Sequence, residues 1–425
     1  MQVVCLDDLV AADDELRRIE ALVDWDQVRK TAAPFYKPGG VGRMGLDPAV
    51  LVKLALVLAW RGLPSMRATL RVAATDISIR RFLGYGLTER LPDHLTFSVA
   101  QTKRFADSSV FEQLFTQVLR ACTDAGLVGG RRLVIDGTHI EADAALKSLR
   151  AELSLVTDDD DQPPRDFAES PGDSGDSGDS GGGARSRSRP DLKLAEPRTG
   201  PTPKRRASNQ TAVSQTDRDA KLRHKPGHRK HLVHRGQVAA DPKHRVIIAV
   251  QAELATGSEA GILEDLITRA RFAGHTAAQV AADTGYASAD SYATLDRLKT
   301  TAFIPPQPAA EHPAAEQARE RIRTRAGRDA AFDRQAHAEG SIAELKRHGA
   351  DRARCRGTRL LQLQLLAAAT AINLKRLITL DPAASQDLTG DRDARNRTIL
   401  TLADLLTATL REIDEILNNE SSTGS

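Results

Sequence analysis

The chain has 425 residues, enough for at least one full core and for more than one domain. Hydrophobic residues make up 40% and charged residues 28%, with a net charge of only +3, which excludes a strong polyelectrolyte and suits a soluble globular protein on the polar side. Cys5, Cys122 and Cys355 are far apart with no C-x-x-C pair, which excludes a cysteine zinc site or a disulfide framework and fits a reducing cytoplasm.

The start, MQVVCLDDLVAADDEL, lacks a basic region followed by an apolar run and does not read as a signal peptide. Residues 1–130 read as a helical domain. Apolar residues recur at helical spacing in 48–60 and 111–127, punctuated by turns at PGG 38–40, LGYGL 83–87 and LPDH 91–94. The most apolar segments, 51–60 and 360–374, fall short of the roughly 18 to 20 residues that span a bilayer. No membrane partner is expected.

Residues 146–216 contain a run of four Asp, the repeat GDSGDSGDSGGG and a Pro/Arg/Lys-rich stretch. Such a composition cannot bury enough apolar surface to offset the entropy of ordering, so it is expected to be a disordered insertion. Around it the pattern is α/β. Strand-like runs stand at 131–136, 230–241, 244–253, 278–283 and 301–306, with helical stretches at 259–273, 288–298 and 331–347. Pro242 makes 230–253 a hairpin. The order predicts a mixed sheet flanked by helices, built from 131–145 and 217–377, in the succession of a ribonuclease-H-like fold. Residues 378–425 read as a linker and an amphipathic helix, whose stripe from Ile399 to Leu417 fits either subunit pairing or docking on its own domain.

Two strands are expected to end in a carboxylate followed closely by glycine: Asp136 before Gly137, and Asp283 before Gly285. A rigid strand end with a small neighbour suits close approach of a ligand, although a single such Asp is more often a turn or a helix cap. A third acid, Glu339, lies on the helix 331–349, where Lys346, two turns on, shares its face. A carboxylate and an ammonium presented together suit a metal and a phosphate; an exposed helix with ordinary charge pairs explains the same pattern. Glu344 is the nearest rival, about 140° away around the helix. The stretches Arg218–Arg245 and Arg319–Arg359 concentrate Lys and Arg, as a phosphate backbone or a plain solvated surface would allow.

These motifs, in this order, resemble the DDE transposases of bacterial insertion sequences, in the group marked by Tyr-x2-Arg-x3-Glu-x6-Lys. Phe332, Gln335, Glu339 and Lys346 stand at the four marked positions; the glutamate and lysine agree, while Phe332 and Gln335 depart, with Arg334 next to the missing arginine. FYKPGGVGRMGLDPAVLVKLALVLAWRGLPS (35–65), AGLVGGRRLVIDGTHIEADAA (125–145), AADTGYAS (281–288), SQTDRDAK (214–221) and the segment 344–377 resemble successive parts of the family, which cover about 35–145 and 212–377.

The resemblance implies Asp136, Asp283 and Glu339 as catalytic acids holding two Mg²⁺ ions, with Mn²⁺ as a substitute, for metal-assisted phosphoryl transfer. It also implies DNA as partner, through both terminal inverted repeats and target, in a homodimer or higher oligomer. Lys346, Arg334, Gln335, Phe332, Arg347, Arg352, Arg354 and Arg356 are the expected DNA contacts. His139 and His337 are read as bystanders to the chemistry with a DNA contact left open, and Glu141 and Asp143 as solvated or outer groups, one of which becomes a candidate ligand if the strand runs past Asp136. A nuclease of the same fold, or a transposase reduced to DNA binding, are the competing readings.

Overall fold

The computed structural model describes residues 6–36, 45–151, 209, 212–224, 229–256, 259–308, 310 and 312–380. The PGG turn, the interior of the insertion, and the C-terminal linker and amphipathic helix lie outside the described residues.

Eight helices come first: α1 Leu6–Leu9, α2 Glu15–Leu22, α3 Trp25–Ala32, α4 Pro48–Trp60, α5 Met66–Thr75, α6 Ile77–Leu83, α7 His94–Ala100 and α8 Val110–Asp124. Six of them start on a side chain that accepts a backbone N–H of the first turn, namely Asp14, Asp24, Asp47, Ser65, Asp76 and Asp93. These local caps satisfy donors that the helix itself leaves unpaired, which is why the helical boundaries follow from sequence. α4 is buried nearly all round and forms the centre of this region.

The sheet strands are β1 Arg132–Glu141, then, after a two-stranded ribbon of β2 Leu149–Ala151 and β3 Ala212–Ser214, β4 Lys221–Arg223, β5 His231–Asp241, β6 Val246–Leu254, β7 Gln279–Ala281 and β8 Thr301–Phe303. The sheet runs β4-β5-β1-β7-β8, with β6 also on β5. β1 is antiparallel to β5 and parallel to β7, and β7 is parallel to β8, so the sheet is mixed. α9 Leu263–Phe272, α10 Ala289–Arg297, α11 Pro313–Arg323, α12 Arg325–Asp333, α13 Glu339–Leu345 and α14 Thr358–Leu380 flank or follow it.

Three results depart from the sequence reading. β1 continues to Glu141 instead of ending at Asp136, because β5 pairs with it through Glu141. The margins of the expected insertion are ordered: β2 and β3 pair, and the Ser148 and Ser214 hydroxyls meet at 2.8 Å. The apolar segment that seemed to stop at 374 belongs to a 23-residue helix, α14, long and apolar enough to cross a membrane. Its most apolar window is 78% buried within the protein, as befits a core helix.

α14 packs on β6, α8 and α4, so one apolar core runs from Leu51 through Ile372 to Leu133. It also covers a sheet edge. The Asn373 amide brackets Ile247, accepting its N–H at 2.9 Å and donating to its carbonyl at 2.8 Å. Three turns earlier Gln362 accepts from Ala252 and donates to Val250. Backbone groups that an edge strand would leave open are thus met by a helix.

Candidate functional site

On its β5 side β1 is paired in register from Val134 to Glu141, but on its β7 side only from Arg132 to Val134. Contact on that second side resumes at Glu141, which bridges to Arg352 through Glu141 N–H to the Asp351 carbonyl and Ala353 N–H to the Glu141 carbonyl. Asp136 therefore lies within a notch of the sheet edge, just past the end of the parallel ladder. Its Oδ1 accepts the Gly137 N–H at 2.8 Å.

Asp283 follows β7 by two residues and caps a single helical turn, with Oδ1 accepting the Gly285 N–H at 2.8 Å. That turn is anchored by Tyr286, which is fully buried and donates its hydroxyl proton to Gln237 of β5. Glu339 opens α13 and is exposed. The segment Arg334–Ala338 just before it is π-helical, and after α13 the chain kinks at His348 and Gly349. The even α-helical spacing expected between Phe332 and Lys346 is thus interrupted before Glu339, whereas Glu339 to Lys346 stays α-helical.

The three acids come within electrostatic reach of one another at Asp136. Burial raises its carboxyl above the usual range; the Gly137 N–H opposes this, the Asp283 charge adds to it, Arg334 lowers it, and the Glu339 charge raises it again. Among the described residues, no three His, Cys, Asp or Glu side chains are grouped closely enough to hold a metal ion. The acids sense each other's charge without forming a closed ligand set. As a donor set they fit a hard divalent cation: carboxylate oxygens whose mutual repulsion such an ion would cancel.

The other singled-out residues divide by position. Arg334 is partly buried and acts on Asp136, whereas Gln335 and Phe332 are exposed, Phe332 at 68%. Lys346 is partly buried and lies in reach of His139, while Arg347 and Arg352 are exposed, as is Arg356, which stands 3.7 Å from Asp143. Arg354 is a correction to the surface expectation. It turns inward against Gly349, where its guanidinium fills the space a side chain would need, and donates to the Leu63 carbonyl at 3.0 Å. Glu344, the rival acid, is held by Arg376. His337 stands 3.9 Å from Asp333, a weak contact.

Sequence reasoning missed the groups that hold these parts in place. Arg132 donates to Gln279 at 3.0 Å, pairs with Asp333 at the end of α12, and lies over the Phe303 ring. One side chain so ties β1, β7 and β8 to the helix that leads to Glu339. The SQTDRDAK segment docks on the start of α14. Asp217 accepts from Gly357 N–H at 3.2 Å and pairs with buried His234 at 2.9 Å, while Asp219 accepts from the Thr358 N–H and hydroxyl. Two acids two residues apart were the only sequence signal for this. Cys122 and Cys355 are buried, and burial pushes both thiols up to about 12, which removes them from nucleophilic chemistry.

Two family models match the chain. One, described as a transposase domain (DUF772), matches residues 4–103, and the other, a transposase DDE domain, matches residues 299–378, which include Arg334, Glu339 and Lys346. No curated protein and no solved structure matches.

Proposed function

Because this chain is a DDE transposase of the insertion-sequence type, we propose that it binds the terminal inverted repeats of its element, cleaves the element ends and joins the freed 3′-OH to target DNA. The observation that carries this reading is that the charges of Asp283, Arg334 and Glu339 all act on the partly buried Asp136. Asp136, Asp283 and Glu339 would hold two Mg²⁺ ions, or Mn²⁺ in their place, which when bound would supply Lewis acidity for phosphoryl transfer.

The chain's own groups do the rest. The Gly137 and Gly285 N–H groups each engage one oxygen of their Asp and leave the other for a ligand. Arg334 offsets part of the acid charge, and Lys346, Arg347, Arg352 and Arg356 hold backbone phosphates. The mixed sheet, with its strand, hairpin, helix, strand, helix, strand and helix succession, supports a ribonuclease-H-like catalytic domain formed by 131–145 and 217–377. The helical residues 1–130 bind the element ends, the insertion at 146–216 can be shortened without loss of cleavage, and the active complex is a homodimer or higher oligomer working at the bacterial nucleoid.

The test is divalent-metal-dependent cleavage of DNA carrying the sequences that flank the gene, with wild type beside Asp136→Asn, Asp283→Asn and Glu339→Gln. Loss of nicking in each variant, with end binding and folding intact, is expected. A wild type that binds the ends but cuts with neither Mg²⁺ nor Mn²⁺ overturns the catalytic part and leaves a DNA-binding protein.

A further inference from the structure

We propose that His348 and Arg354 are positioning residues for cleavage: they clasp the segment after Lys346 to the C-terminal end of α4 and so hold α13, which Glu339 opens, against β1. For its catalytic consequence this assignment rests on the transposase reading, and it goes beyond that reading because both side chains are turned into the protein.

The kink after α13 places both residues. His348 leaves helical geometry, and Gly349 takes a φ of 93°, in the left-handed region that glycine enters without strain. The buried His348 reaches α4 there, and its Nδ1–H donates to the Ala59 carbonyl at 2.7 Å. Arg354 donates to the Leu63 carbonyl at 3.0 Å, with its guanidinium packed against Gly349. The two bonds bracket the last turn of α4 and the residues just past it, where a helix leaves carbonyls without an internal partner. Gly62 belongs to the same contact. A Cβ on it would meet the Arg347 carbonyl at 2.7 Å, so the two backbones approach as closely as glycine permits.

Two further elements grip the same stretch. Gln364 of α14, itself buried, donates to the carbonyls of Gly349 at 2.6 Å and Arg352 at 2.8 Å, and accepts the Arg354 N–H at 2.9 Å. On β1, the strand that carries Asp136, Glu141 donates its N–H to the Asp351 carbonyl at 3.1 Å and accepts the Ala353 N–H at 2.7 Å. Residues 347–354 are therefore held by the helical region, the core helix and the strand of the first acid, and α13 leads from them back to Glu339. A group presented by a helix is placed as precisely as the elements that hold the helix. A misplacement of about 1 Å, from a change remote from the chemistry, slows a reaction by up to about a hundredfold. Burial lowers the His348 pKa, so the imidazole acts as a neutral donor, a role that an asparagine amide can take. The Ala59 carbonyl also accepts the Gly62 N–H at 3.1 Å, so it keeps a partner when the imidazole is removed, and such a variant is expected to fold.

The experiment uses the full chain with His348→Leu, Arg354→Met and His348→Asn, beside Gln362→Ala, a structural control that removes bonds between α14 and β6. Amide hydrogen exchange comes first, without DNA or metal. His348→Leu and Arg354→Met are each expected to speed exchange in residues 340–345 by about tenfold, whereas His348→Asn and Gln362→Ala keep the wild-type rates there. Wild-type exchange in both His348→Leu and Arg354→Met overturns the clasp, whether or not the protein cuts DNA. Single-turnover nicking of a duplex carrying the element end, in Mg²⁺, then separates positioning from binding. His348→Leu is expected to lower the rate at saturating duplex about tenfold and to leave the half-saturating concentration within about twofold. His348→Asn is expected to recover most of the loss. A defect confined to half-saturation, or His348→Asn as slow as His348→Leu, overturns the positioning role. A wild type that cuts with no divalent metal sinks the transposase reading instead, and the exchange rates then decide the clasp alone.

Discussion

Partly or wholly buried aspartates stand at two scaffold positions and in the notch of β1, and scaffold and notch handle the charge in opposite ways. At the β5–β6 end, Asp241 pairs with His275 at 3.1 Å and accepts the Gly130 and Lys243 N–H groups, each at 2.9 Å. At the α14 end, Asp217 does the same with His234, Gly357 and Asp219. Although burial pulls upward, these partners leave both carboxyls below the usual range. In the notch of β1, Asp136 has one backbone N–H and two like-charged neighbours, and it stands above that range. Scaffold acids have their charge neutralised inside the fold. The notch acids leave theirs for something that is not part of the chain.

The sharpest way to break this comparison is to remove one charge from each region. Asp136→Asn is expected to lower DNA cleavage by at least about a thousandfold, roughly 4 kcal/mol of transition-state stabilisation, while equalling or exceeding wild type in stability because a repulsion is relieved. Single-turnover nicking and urea unfolding on the same preparation check both halves. Asp217→Asn is expected to cost about 3 kcal/mol of folding stability, because His234 is left buried beside a weaker partner. An Asp217→Asn protein as stable as wild type would erase the distinction.

The pH dependence carries opposite signs in the two regions. For Asp217 and Asp241 the folded pKa is depressed, so their stabilisation is full above the unfolded value near 3.8 and is lost as pH falls through the folded values. For Asp136 the folded pKa is raised, so its penalty is full above that value and disappears as pH falls to the unfolded one. The stability advantage of Asp136→Asn over wild type should thus be present at neutral pH and vanish in acid. Urea midpoints across a pH series decide it.

Next in size is the response to metal. An ion that binds only the folded notch stabilises by about 2.7 kcal/mol at a hundredfold excess over its dissociation constant. Mg²⁺ or Mn²⁺ is expected to raise the melting temperature of wild type and of Asp217→Asn, but not of Asp136→Asn. Equal shifts in all three would move the binding site away from the notch.

How far the sequence showed this depends on the range of the cause. Helix starts were legible because Asp and Ser caps act within three residues, and the order of strands and helices showed in local periodicity. The length of β1 was not, since Gly137 and the polar residues after it look like an exit, and only pairing with β5 carries the strand to Glu141. α11 was not among the expected helices, because its Arg, Glu and Ala residues bury only Ala315 and Ala318. The three acids could be singled out by their local contexts. Their mutual placement could not, because it depends on Arg132 and Tyr286, whose partners lie far away in the chain, and on the π-helical turn before Glu339.

The smallest expected effect tests that last gap. By spacing, Gln335 stands at the position of the resemblance's arginine, and an α-helix would place it one turn before Glu339. The π-helical segment begins at Arg334, and it is Arg334 whose charge reaches Asp136, while Gln335 is exposed. If the notch needs one cation against its three acids, Arg334→Gln should slow cleavage about tenfold, near 1.4 kcal/mol, and Gln335→Ala should leave it within about twofold. Metal titrations of the cleavage rate separate the causes: loss of a phosphate contact lowers the plateau, whereas loss of charge balance at the acids shifts the metal midpoint. The reverse ranking of the two variants would mean that spacing along the chain, and not the turn seen in the structure, sets which side chain serves the site.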